Sequence, residues 1–372
     1  MKTYKTVIIG CGLMSHNHIR GYLATRRFEI VAIADFHESA MNEVDDIFSI
    51  KPRHYTDARE MLEKEKPDVV SICTWHIGHA EWTIAAAAFR PRAILCEKPM
   101  ADNIGRAEQM IIACQRNNVK LAIAHQRRFL PAYSLARKFV SEGMVGDVIL
   151  MTSTGGQGLP NFCTHQTDMF RYILSDDECV WAMGNIERKT DRWERSTRIE
   201  DRAEVVYQFA GGARAMILCD LTPSPLFQGA QIYGSEGMIQ MSVNDLQLMN
   251  AKTGGNWKMY EPEGCFVKPD NDKFEWVEAG AAQADELANW IEGKTDNYRG
   301  DAQNGLKALH MIHAVYESAR CHERVDLPIE TRVNPLDLMV DSGHLSPERP
   351  GKYDIRAFLL REEAMCSDEK PL

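Results

Sequence analysis

The chain has 372 residues, of which 44% are hydrophobic and 26% charged, and its formal net charge is −10. This length and composition are typical of a globular protein with two domains. The acidic balance argues against a nucleic-acid or anionic-membrane partner, and no apolar run approaches the roughly 20 residues of a membrane span. The first residues lead into a short strand rather than a signal segment, and the ten scattered cysteines fit reduced thiols. We therefore expect a cytoplasmic protein.

The first third of the chain carries the pattern of a dinucleotide site. An apolar run enters Gly10 and Gly12, and a second apolar run stops at Asp35. The first glycine permits a tight turn, the second lets backbone amides approach a pyrophosphate at a helix N-terminus, and the acid accepts hydrogen bonds from the adenosine ribose. Because Asp35 would repel a 2′-phosphate, the pattern favours NAD over NADP. Ser15 stands where the full fingerprint has Gly or Ala, and we expect the fold to tolerate it.

Strands and helices alternate through residues 1–125. The strands are short and apolar without clean alternation, as in a sheet buried on both faces, and helices of roughly 10–15 residues separate them. This rhythm predicts a doubly wound parallel sheet as the first domain. The predicted strands are Asp68–Cys73, Ala93–Cys96 and Leu121–Ala124, and the predicted helices are Glu38–Phe48, Asp57–Lys64, His79–Phe89 and Asn103–Asn117.

Residues 126–330 have a different character, with longer strand-like segments and hairpin turns that predict an α+β domain. Residues 331–372 are rich in Pro, Gly and charge, and their prolines discourage regular structure. Because residues 336–340 and 355–361 are nevertheless apolar, we expect an arm that wraps its own subunit or a neighbour. In the second domain we predict strands at Val148–Thr154, Ala203–Phe209, Arg214–Asp220 and Gln228–Tyr233, helices at Pro131–Glu142, Ala281–Glu292 and Asp301–Arg320, and tight turns at Gly211–Gly212 and Gly234–Gly237.

Lys98 follows directly on a predicted strand, between Glu97 and Pro99. In open α/β sheets the carboxyl ends of the strands face the ligand crevice, so this lysine would lie near the reactive end of the cofactor. A partly desolvated ammonium stabilises a developing alkoxide, and its pKa can shift toward neutrality. A plain surface lysine in a loop has the same local sequence, and the motif on its own does not decide between these roles.

The chain resembles the glucose–fructose oxidoreductase/inositol dehydrogenase (Gfo/Idh/MocA) family over residues 5–325. The most specific matching motifs are Glu97-Lys98-Pro99 and His165-x-x-Asp168, in this order. Supporting motifs are Gly10-x-Gly12 with His18, Thr74-x-His76-x-x-His79, Arg127-Arg128-Phe129, Gly143-x-Val145-Gly146 and Gly234-Ser235-Glu236-Gly237.

This resemblance implies an α/β Rossmann domain followed by an α+β domain with a large open, mostly antiparallel sheet, and a homodimer or homotetramer formed through that sheet. It implies NAD-dependent hydride transfer at a secondary alcohol of a sugar, a glycoside (including one oxidised at C3) or a cyclitol. By the same resemblance Lys98 contacts the reacting hydroxyl and the nicotinamide ribose, His165 is the general base, and Glu97 supports the cofactor. Further cofactor contacts implied are Leu13, Met14, Thr74, Trp75, His76, His79 and Gln126, and Arg127 joins Lys98, Asn161 and His165 around the substrate.

The surroundings of His165 depart from the family pattern at one position. Relatives resembling inositol dehydrogenase carry an Asp four residues before this histidine, where the chain has Asn161. Because an amide cannot exchange a proton, we assign Asn161 to orienting the substrate or His165. Asp168 lies one helical turn beyond His165 and would either orient the ring or anchor the helix. Cys11, His16 and His18 are close in sequence, but we interpret them as turn and helix residues and expect no metal.

Two rival functions use the same motifs. An NAD-dependent glycosidase would oxidise its substrate transiently, eliminate the aglycone, add water and re-reduce the product, so it would retain NAD and show no net reduction. A non-catalytic sensor would bind NAD and a sugar without turnover, and the intact Lys98 and His165 argue against it. The leading interpretation is a sugar dehydrogenase whose substrate pocket is lined by residues 155–165, residues 220–228 and the C-terminal arm.

Overall fold

The computed structural model describes residues 3–221, 229–263, 269–270, 273–274 and 277–354. Its first domain consists of β1 (Tyr4–Ile9), α1 (Leu13–Thr25), β2 (Phe28–Ala34), α2 (Glu38–Phe48), β3 (Arg53–Tyr55), α3 (Ala58–Glu65), β4 (Val69–Ile72), α4 (Gly78–Ala88), β5 (Ala93–Cys96), α5 (Ile104–Arg116) and β6 (Lys120–Ile123). The strands form one parallel sheet in the order β3-β2-β1-β4-β5-β6, which confirms the doubly wound domain. The winding reverses between β1 and β4, and such sheets bind ligands at this point, outside the carboxyl ends of the strands.

The second domain is built on a larger mixed sheet. Its elements are α6 (Pro131–Ser141), β7 (Val148–Gly155), α7 (Thr164–Ile173), β8 (Cys179–Glu187), β9 (Thr190–Glu194), β10 (Thr197–Arg198), β11 (Arg202–Phe209), β12 (Arg214–Cys219), β13 (Ala230–Gly234), β14 (Gly237–Met241), β15 (Leu246–Asn250), β16 (Lys258–Tyr260), β17 (Pro269–Asp270), β18 (Lys273–Phe274), α8 (Val277–Ile291), α9 (Ala302–Cys321), β19 (Val325–Asp326), α10 (Pro335–Asp341) and β20 (Arg349–Asp354). In the described chain the sheet has the order β16-β15-β14-β13-β7-β12-β11-β8-β19. Within it only β7 and β12 pair in parallel, so the large, mostly antiparallel sheet is confirmed. β9, β10 and β20 form a small separate sheet.

The second domain reaches back to the first through α8. This helix packs against α1 where two glycines meet, and a Cβ added at Gly21 would lie 2.5 Å from the carbonyl oxygen of Gly280. Arg27, just after α1, forms ion pairs with Asp285 at 2.6 Å and with Glu292 at 2.7 Å. These contacts join the two domains, which also meet where Lys98, at the carboxyl end of β5, contacts Asn161; we refer to this junction as the cleft.

Some elements differ from the sequence prediction. α8 begins at Val277 rather than at Ala281, and the sequence does not predict β8, β9 or β10. The expectation that prolines exclude regular structure from the arm is wrong for β20, which contains Pro350, and for α10. Pro335 occupies its first turn, where no backbone N–H is needed, and the Asn334 side chain accepts from the backbone N–H of Leu336. Because α10 packs against α9, this part of the arm lies against its own chain.

Two segments singled out from the sequence, residues 222–228 of the expected pocket and residues 355–361 of the arm, lie outside the described residues. Where the structure describes the chain, no helix is both long and apolar enough to cross a membrane. The cysteines of the described residues are free thiols, and all of them except Cys321 are buried.

Candidate active site

The glycine turn between β1 and α1 has the shape that a pyrophosphate requires. Gly10 has a φ of +91°, and a Cβ there would lie 2.8 Å from the backbone of Cys73, so no other residue fits. Gly12 precedes α1, and a Cβ added there would meet nothing within 4 Å. The helix N-terminus has no side-chain cap, so no side chain occupies the place where an anion would meet its backbone N–H groups. Leu13, which is 65% exposed, and Met14 begin the helix at this point.

Asp35 lies directly beside the turn, just after β2. Its carboxylate accepts hydrogen bonds from the backbone N–H of Cys11 at 2.8 Å and of His37 at 2.9 Å. Each carboxylate oxygen can accept more than one hydrogen bond, so both can still bind ribose hydroxyls. Ser15 is buried, and its hydroxyl donates to the Gly12 carbonyl at 2.7 Å, which explains how the fold accommodates a serine there.

Glu97 follows β5 and ties the lysine turn to α1. Its Oε1 lies 3.1 Å from His18 Nε2, and its Oε2 accepts from the backbone N–H of Lys98 at 3.0 Å. His18 Nδ1 in turn lies 3.1 Å from the hydroxyl of Ser71 on β4. Both of these contacts tie the buried Glu97 carboxylate to protein groups, and they fix the backbone that presents Lys98.

Lys98 meets the second domain across the cleft. Its Nζ donates to the backbone carbonyl of Asn161 at 2.8 Å, and the side-chain oxygen of the same residue is 3.5 Å away. Burial disfavours the charged amine, and the positive charges of Arg195 and Arg127 act in the same direction. The pKa of Lys98 therefore falls to about 7, which is a shift toward neutrality of the kind that the sequence analysis expects.

The segment that carries Asn161, between β7 and α7, is held in place by two carboxylates. Asp220 accepts from the backbone N–H groups of residues 157 and 158 at 2.9 and 2.8 Å. The buried Glu200 accepts from the N–H of the next residue at 2.6 Å. These bonds fix the course of a segment that contains Gly155, Gly156 and Gly158.

His165 occupies the first turn of α7 and is 6% exposed. Its Nδ1 has no hydrogen-bond partner among the described residues. Burial, together with the positive charges of Arg127 and Lys98, lowers the pKa of His165 well below its usual value. The ring is therefore neutral at pH 7 and able to accept a proton.

Asp168 pairs with Arg128 rather than with His165. The Arg128 Nε and Nη2 atoms donate to the carboxylate oxygens at 2.7–3.0 Å, and both side chains are buried. This ion pair joins α7 to the 3₁₀ helix Gln126–Phe129. Of the two roles that the sequence leaves open for Asp168, the contacts favour anchoring of the helix.

The loop after β4 lines the Rossmann side of the cleft. Thr74 and Trp75 are half-buried there, and His79 lies between the carbonyls of Pro99 and Thr74, at 2.7 and 3.0 Å. His76 is buried, and neither of its ring nitrogens has a partner in the part of the chain that the structure describes. Burial is the main reason that the pKa of His76 lies well below its usual value.

After β6, Gln126 and Arg127 are buried in the 3₁₀ helix. The Arg127 guanidinium lies 4.7 Å from the ring centre of Phe162. This contact places Arg127 next to the segment that carries Asn161. The side-chain oxygen of Gln126 has no described partner.

The fold brings four residues of distant motifs into one buried cluster: Lys98, Arg127, Asn161 and His165. It also places there Arg195, which the sequence analysis does not single out. Arg195 Nη1 donates to the side-chain oxygen of Asn161 at 2.8 Å. Because Arg195 lies in a turn between β9 and β10 that contains neither Gly nor Asn, no turn signal marks it in the sequence.

These features define an oxidoreductase that uses a nicotinamide dinucleotide. The turn at Gly10 and Gly12 is open to a pyrophosphate, Asp35 stands where the ribose lies in such sites, and the buried Lys98 follows a strand of the same sheet. The residues present therefore fit NAD. Among the described residues no group of three or more His, Cys, Asp or Glu side chains could hold a metal ion.

The chain belongs to the Gfo/Idh/MocA oxidoreductase family. Residues 4–125 match the NAD-binding Rossmann domain of this family, and residues 152–327 match its C-terminal α/β domain. The resemblance seen in the sequence is thus confirmed, and the chain is an NAD-dependent enzyme.

Named relatives support the same class. D-apiose dehydrogenase of Paraburkholderia graminis is 25% identical over 92% of this chain and 95% of that protein. Myo-inositol 2-dehydrogenase of Thermotoga maritima is 25% identical over 62% of this chain and 73% of that protein. The structure of levoglucosan dehydrogenase in complex with NADH and levoglucosan matches with a TM-score of 0.77 and 21% identity, covering 88% of this chain and 100% of that chain. This structural likeness shows the shared fold, and the relatives are dehydrogenases.

Proposed function

We propose that this enzyme oxidises a secondary alcohol of a sugar, a glycoside or a cyclitol. The observation that supports the proposal best is the contact of the buried Lys98 amine with Asn161. Asn161 lies 63 residues further along the chain and precedes His165 by four residues. An amine and a neutral imidazole can remove a hydroxyl proton and hold the oxygen that results. The names of the relatives, which refer to apiose and inositol, point to the same class of substrate.

In this proposal His165 takes the hydroxyl proton. Its ring is neutral because burial and nearby cations lower its pKa. Lys98 Nζ donates to the same oxygen, and its bond to the Asn161 carbonyl keeps the amine directed across the cleft. Bound NAD supplies the acceptor for the hydride. Burial of both side chains excludes water and strengthens their charge interactions.

Two carboxylates act through other residues. Glu97 bonds to His18 and to the backbone N–H of Lys98, so it positions the amine. Asp168 holds Arg128, and we assign it to positioning α7 and with it His165.

The test is a screen of glycosides, free sugars and cyclitols in which NADH absorbance and product release are followed in parallel. Lys98→Ala should abolish turnover while NAD still binds. Lys138→Ala, which removes an exposed lysine on α6, is the matched control and should retain turnover. Wild-type turnover in Lys98→Ala would exclude Lys98 from the mechanism. Product release without net NADH would favour the glycosidase.

We also propose that the open face of the large sheet joins subunits into a dimer or tetramer. Met183 and Met216 on this face are 53% and 37% exposed, and exposed apolar surface of this kind is typical of protein interfaces. They belong to one row of cross-strand neighbours: Met183, Val206, Met216, Thr152 and Gln231. In sedimentation experiments Met216→Glu should lower the mass of the assembly, and a monomeric wild type would contradict the proposal.

A further inference from the structure

Arg195 reaches the candidate active site from outside the motifs that define it. Its Nη1 donates to the side-chain oxygen of Asn161 at 2.8 Å, and the backbone carbonyl of Asn161 accepts from Lys98 Nζ at 2.8 Å. A single residue therefore separates the guanidinium from the amine. Burial is the largest cause that lowers the pKa of Lys98 and of His76, and the positive charge of Arg195 is the next largest. Both residues belong to the Rossmann domain, so Arg195 lies on the side of its own domain that faces them.

The turn that carries Arg195 has an unusual sequence for its geometry. Glu194 ends β9 and pairs with Thr197, the first residue of β10, so Arg195 and Ser196 are the two central residues of the hairpin. Their φ values are +47° and +63°, a conformation that such hairpins normally assign to Asn-Gly. Asn or Gly would form this turn with less strain, so the turn geometry does not by itself select an arginine.

Much of the guanidinium remains available to a ligand. The side chain of Arg195 is 32% exposed, and the carboxylate of Glu194 lies 3.5 Å from its Nε. Burial raises the pKa of Glu194. With Nη1 bonded to Asn161, the Nη2 atom has no acceptor among the residues that the structure describes.

The other carboxylates around the site are already engaged. Glu97 bonds to His18, and Asp168 is held by Arg128. Arg195 therefore shares only the carboxylate of the preceding residue within the described chain, and it adds positive charge to a cleft that already holds an amine. An anionic group would find favourable electrostatics here.

Building on the function proposed above, we propose that Arg195 anchors a carboxylate of the substrate, and that the enzyme oxidises an acidic sugar, either an aldonate or a uronate. A planar guanidinium matches a carboxylate through parallel N–H···O bonds, which a neutral hydroxyl group does not reproduce. The carboxylate would lie beside Arg195 and the reacting hydroxyl beside Lys98, on either side of Asn161. Arg195 thus sets which substrates the reaction accepts.

The experiment compares matched acidic and neutral compounds, namely D-glucuronate with D-glucose, D-galacturonate with D-galactose, and D-gluconate with D-glucitol. Each is offered to the full-length protein with NAD, and kcat/KM is measured from NADH absorbance. In at least one pair, kcat/KM for the acid should exceed kcat/KM for its neutral partner by about 10-fold or more. This difference in kcat/KM should become smaller at high salt. D-glucose 6-phosphate is included, and a preference for it over every carboxylate would overturn the assignment.

The variant that tests the anchor is Arg195→Gln. It should lower kcat/KM for the acid by on the order of 10- to 100-fold, mainly through KM, because a bond to a charged group is lost. The loss for the neutral partner should be smaller, and Arg195→Lys should recover part of the loss for the acid. Arg116→Gln, which removes an exposed arginine at the end of α5, is the charge-matched control. Thermal unfolding shows that each variant is folded.

Two outcomes would overturn the inference while leaving the proposed dehydrogenase intact. One is an equal loss for acid and neutral partner in Arg195→Gln, and the other is a neutral compound that matches its acid in the wild type. If no pair is oxidised, quenching of NADH fluorescence gives the affinities for the NADH-bound protein, and acids that bind no tighter than their partners also overturn it. The proposed function fails separately, when no sugar, glycoside or cyclitol of either charge reduces NAD.

Discussion

Lys98 and Asn161 are in contact twice. The lysine Nζ donates to the backbone carbonyl of Asn161 at 2.8 Å and lies 3.5 Å from its side-chain oxygen. The first contact uses the backbone and survives any substitution at this position, whereas the second depends on the side chain. The position therefore allows the charge beside the amine to be changed without removing the bond that orients it.

Asn161→Asp should raise the pKa of Lys98 above its value of about 7. A carboxylate this close favours the ammonium, and an opposite charge at this range shifts a pKa by on the order of 1 unit. The pH at which kcat/KM changes should move upward by a similar amount, as measured from the pH dependence of NADH formation. Asn161→Ala keeps the backbone carbonyl and adds no charge, so it is the control. An unmoved profile in Asn161→Asp would mean that Lys98 does not govern it.

The wild-type pH profile should report Lys98 and His165 together. The pKa of Lys98, about 7, lies below the usual ~10.4 of a lysine, so the ammonium is present below pH 7 and lost as the pH rises through it. Because the ammonium stabilises the developing alkoxide, kcat/KM should fall above this pH. It should also fall at acid pH, well below the usual pKa of histidine, where His165 becomes protonated.

Lys98→Arg separates the fall of kcat/KM at alkaline pH (the alkaline limb of the profile) from the fall at acid pH (the acidic limb). A guanidinium, with a pKa above ~12, keeps its charge at every accessible pH. The variant should therefore lose the alkaline limb and keep the acidic limb, at reduced turnover. A wild-type kcat/KM that instead rises with pH through 7 would assign proton removal to the neutral Lys98 amine.

The two glycines of the first turn should respond differently to the same substitution. Gly12→Ala adds a Cβ with nothing within 4 Å, so the melting temperature should change little, while NAD affinity, measured by calorimetry, should fall about 10-fold or more because the pyrophosphate needs that space. Gly10→Ala places a Cβ 2.8 Å from the Cys73 backbone at a φ of +91°, and should destabilise the fold by about 2 kcal/mol or more. Equal stability of the two variants would contradict this division.

The Rossmann half of the molecule is predictable because its signals are local. The sequence places a helix at Glu38–Phe48 and a strand at Ala93–Cys96, and the structure has both with the same bounds. Each is marked by a short apolar pattern and the residues beside it. The glycine turn and Asp35 likewise lie within one β–α–β unit, so their proximity follows from chain connectivity alone.

The parts of the site that escape prediction depend on how distant segments pack. Asp168 finds Arg128, 40 residues away, only because α7 docks against the 3₁₀ helix. Spacing along a helix cannot show that this pairing turns the carboxylate away from His165. Arg195 lies in a turn with neither Gly nor Asn, where composition predicts no hairpin. Its approach to Asn161 is visible only once β9 and β10 are paired.

Asp35→Ala should weaken binding of NAD and leave binding of NADP unchanged or improved, because the carboxylate that binds the ribose and repels a 2′-phosphate is lost. The change also removes the acceptor for the backbone N–H groups of Cys11 and His37, so a loss of about 1–2 kcal/mol in stability should accompany it. Calorimetric titration with each cofactor gives the affinities. Asp35→Asn keeps an acceptor oxygen without the charge, and equal losses for NAD and NADP would show that Asp35 does not contact the ribose.

Asp168→Asn should destabilise the fold in a pH-dependent manner. Burial disfavours the ionised carboxylate, but the charge and hydrogen bonds of Arg128 outweigh it, so the pKa of Asp168 lies below its usual value. The ion pair therefore contributes stability above the unfolded-state pKa of ~3.9, and loses it as the pH falls through the lower folded-state value. Asp168→Asn leaves Asp176 as the remaining carboxylate partner of the buried Arg128, so the loss of the hydrogen bonds to Asp168 should cost about 2 kcal/mol.

Urea unfolding should show this loss in the free energy of unfolding, relative to the wild type, at pH 7 and a smaller loss at pH 3.

Measurements of kcat/KM against pH then separate the two roles of Asp168. If the residue only anchors α7, the folded variant keeps the acidic limb that belongs to His165 at the same pH, and its loss of activity follows the loss of folded protein. If the carboxylate instead acts on the imidazole, that limb moves while the protein is still folded, since removing a negative charge lowers the pKa of a nearby histidine. A variant as stable as the wild type at pH 7 would contradict the anchoring role.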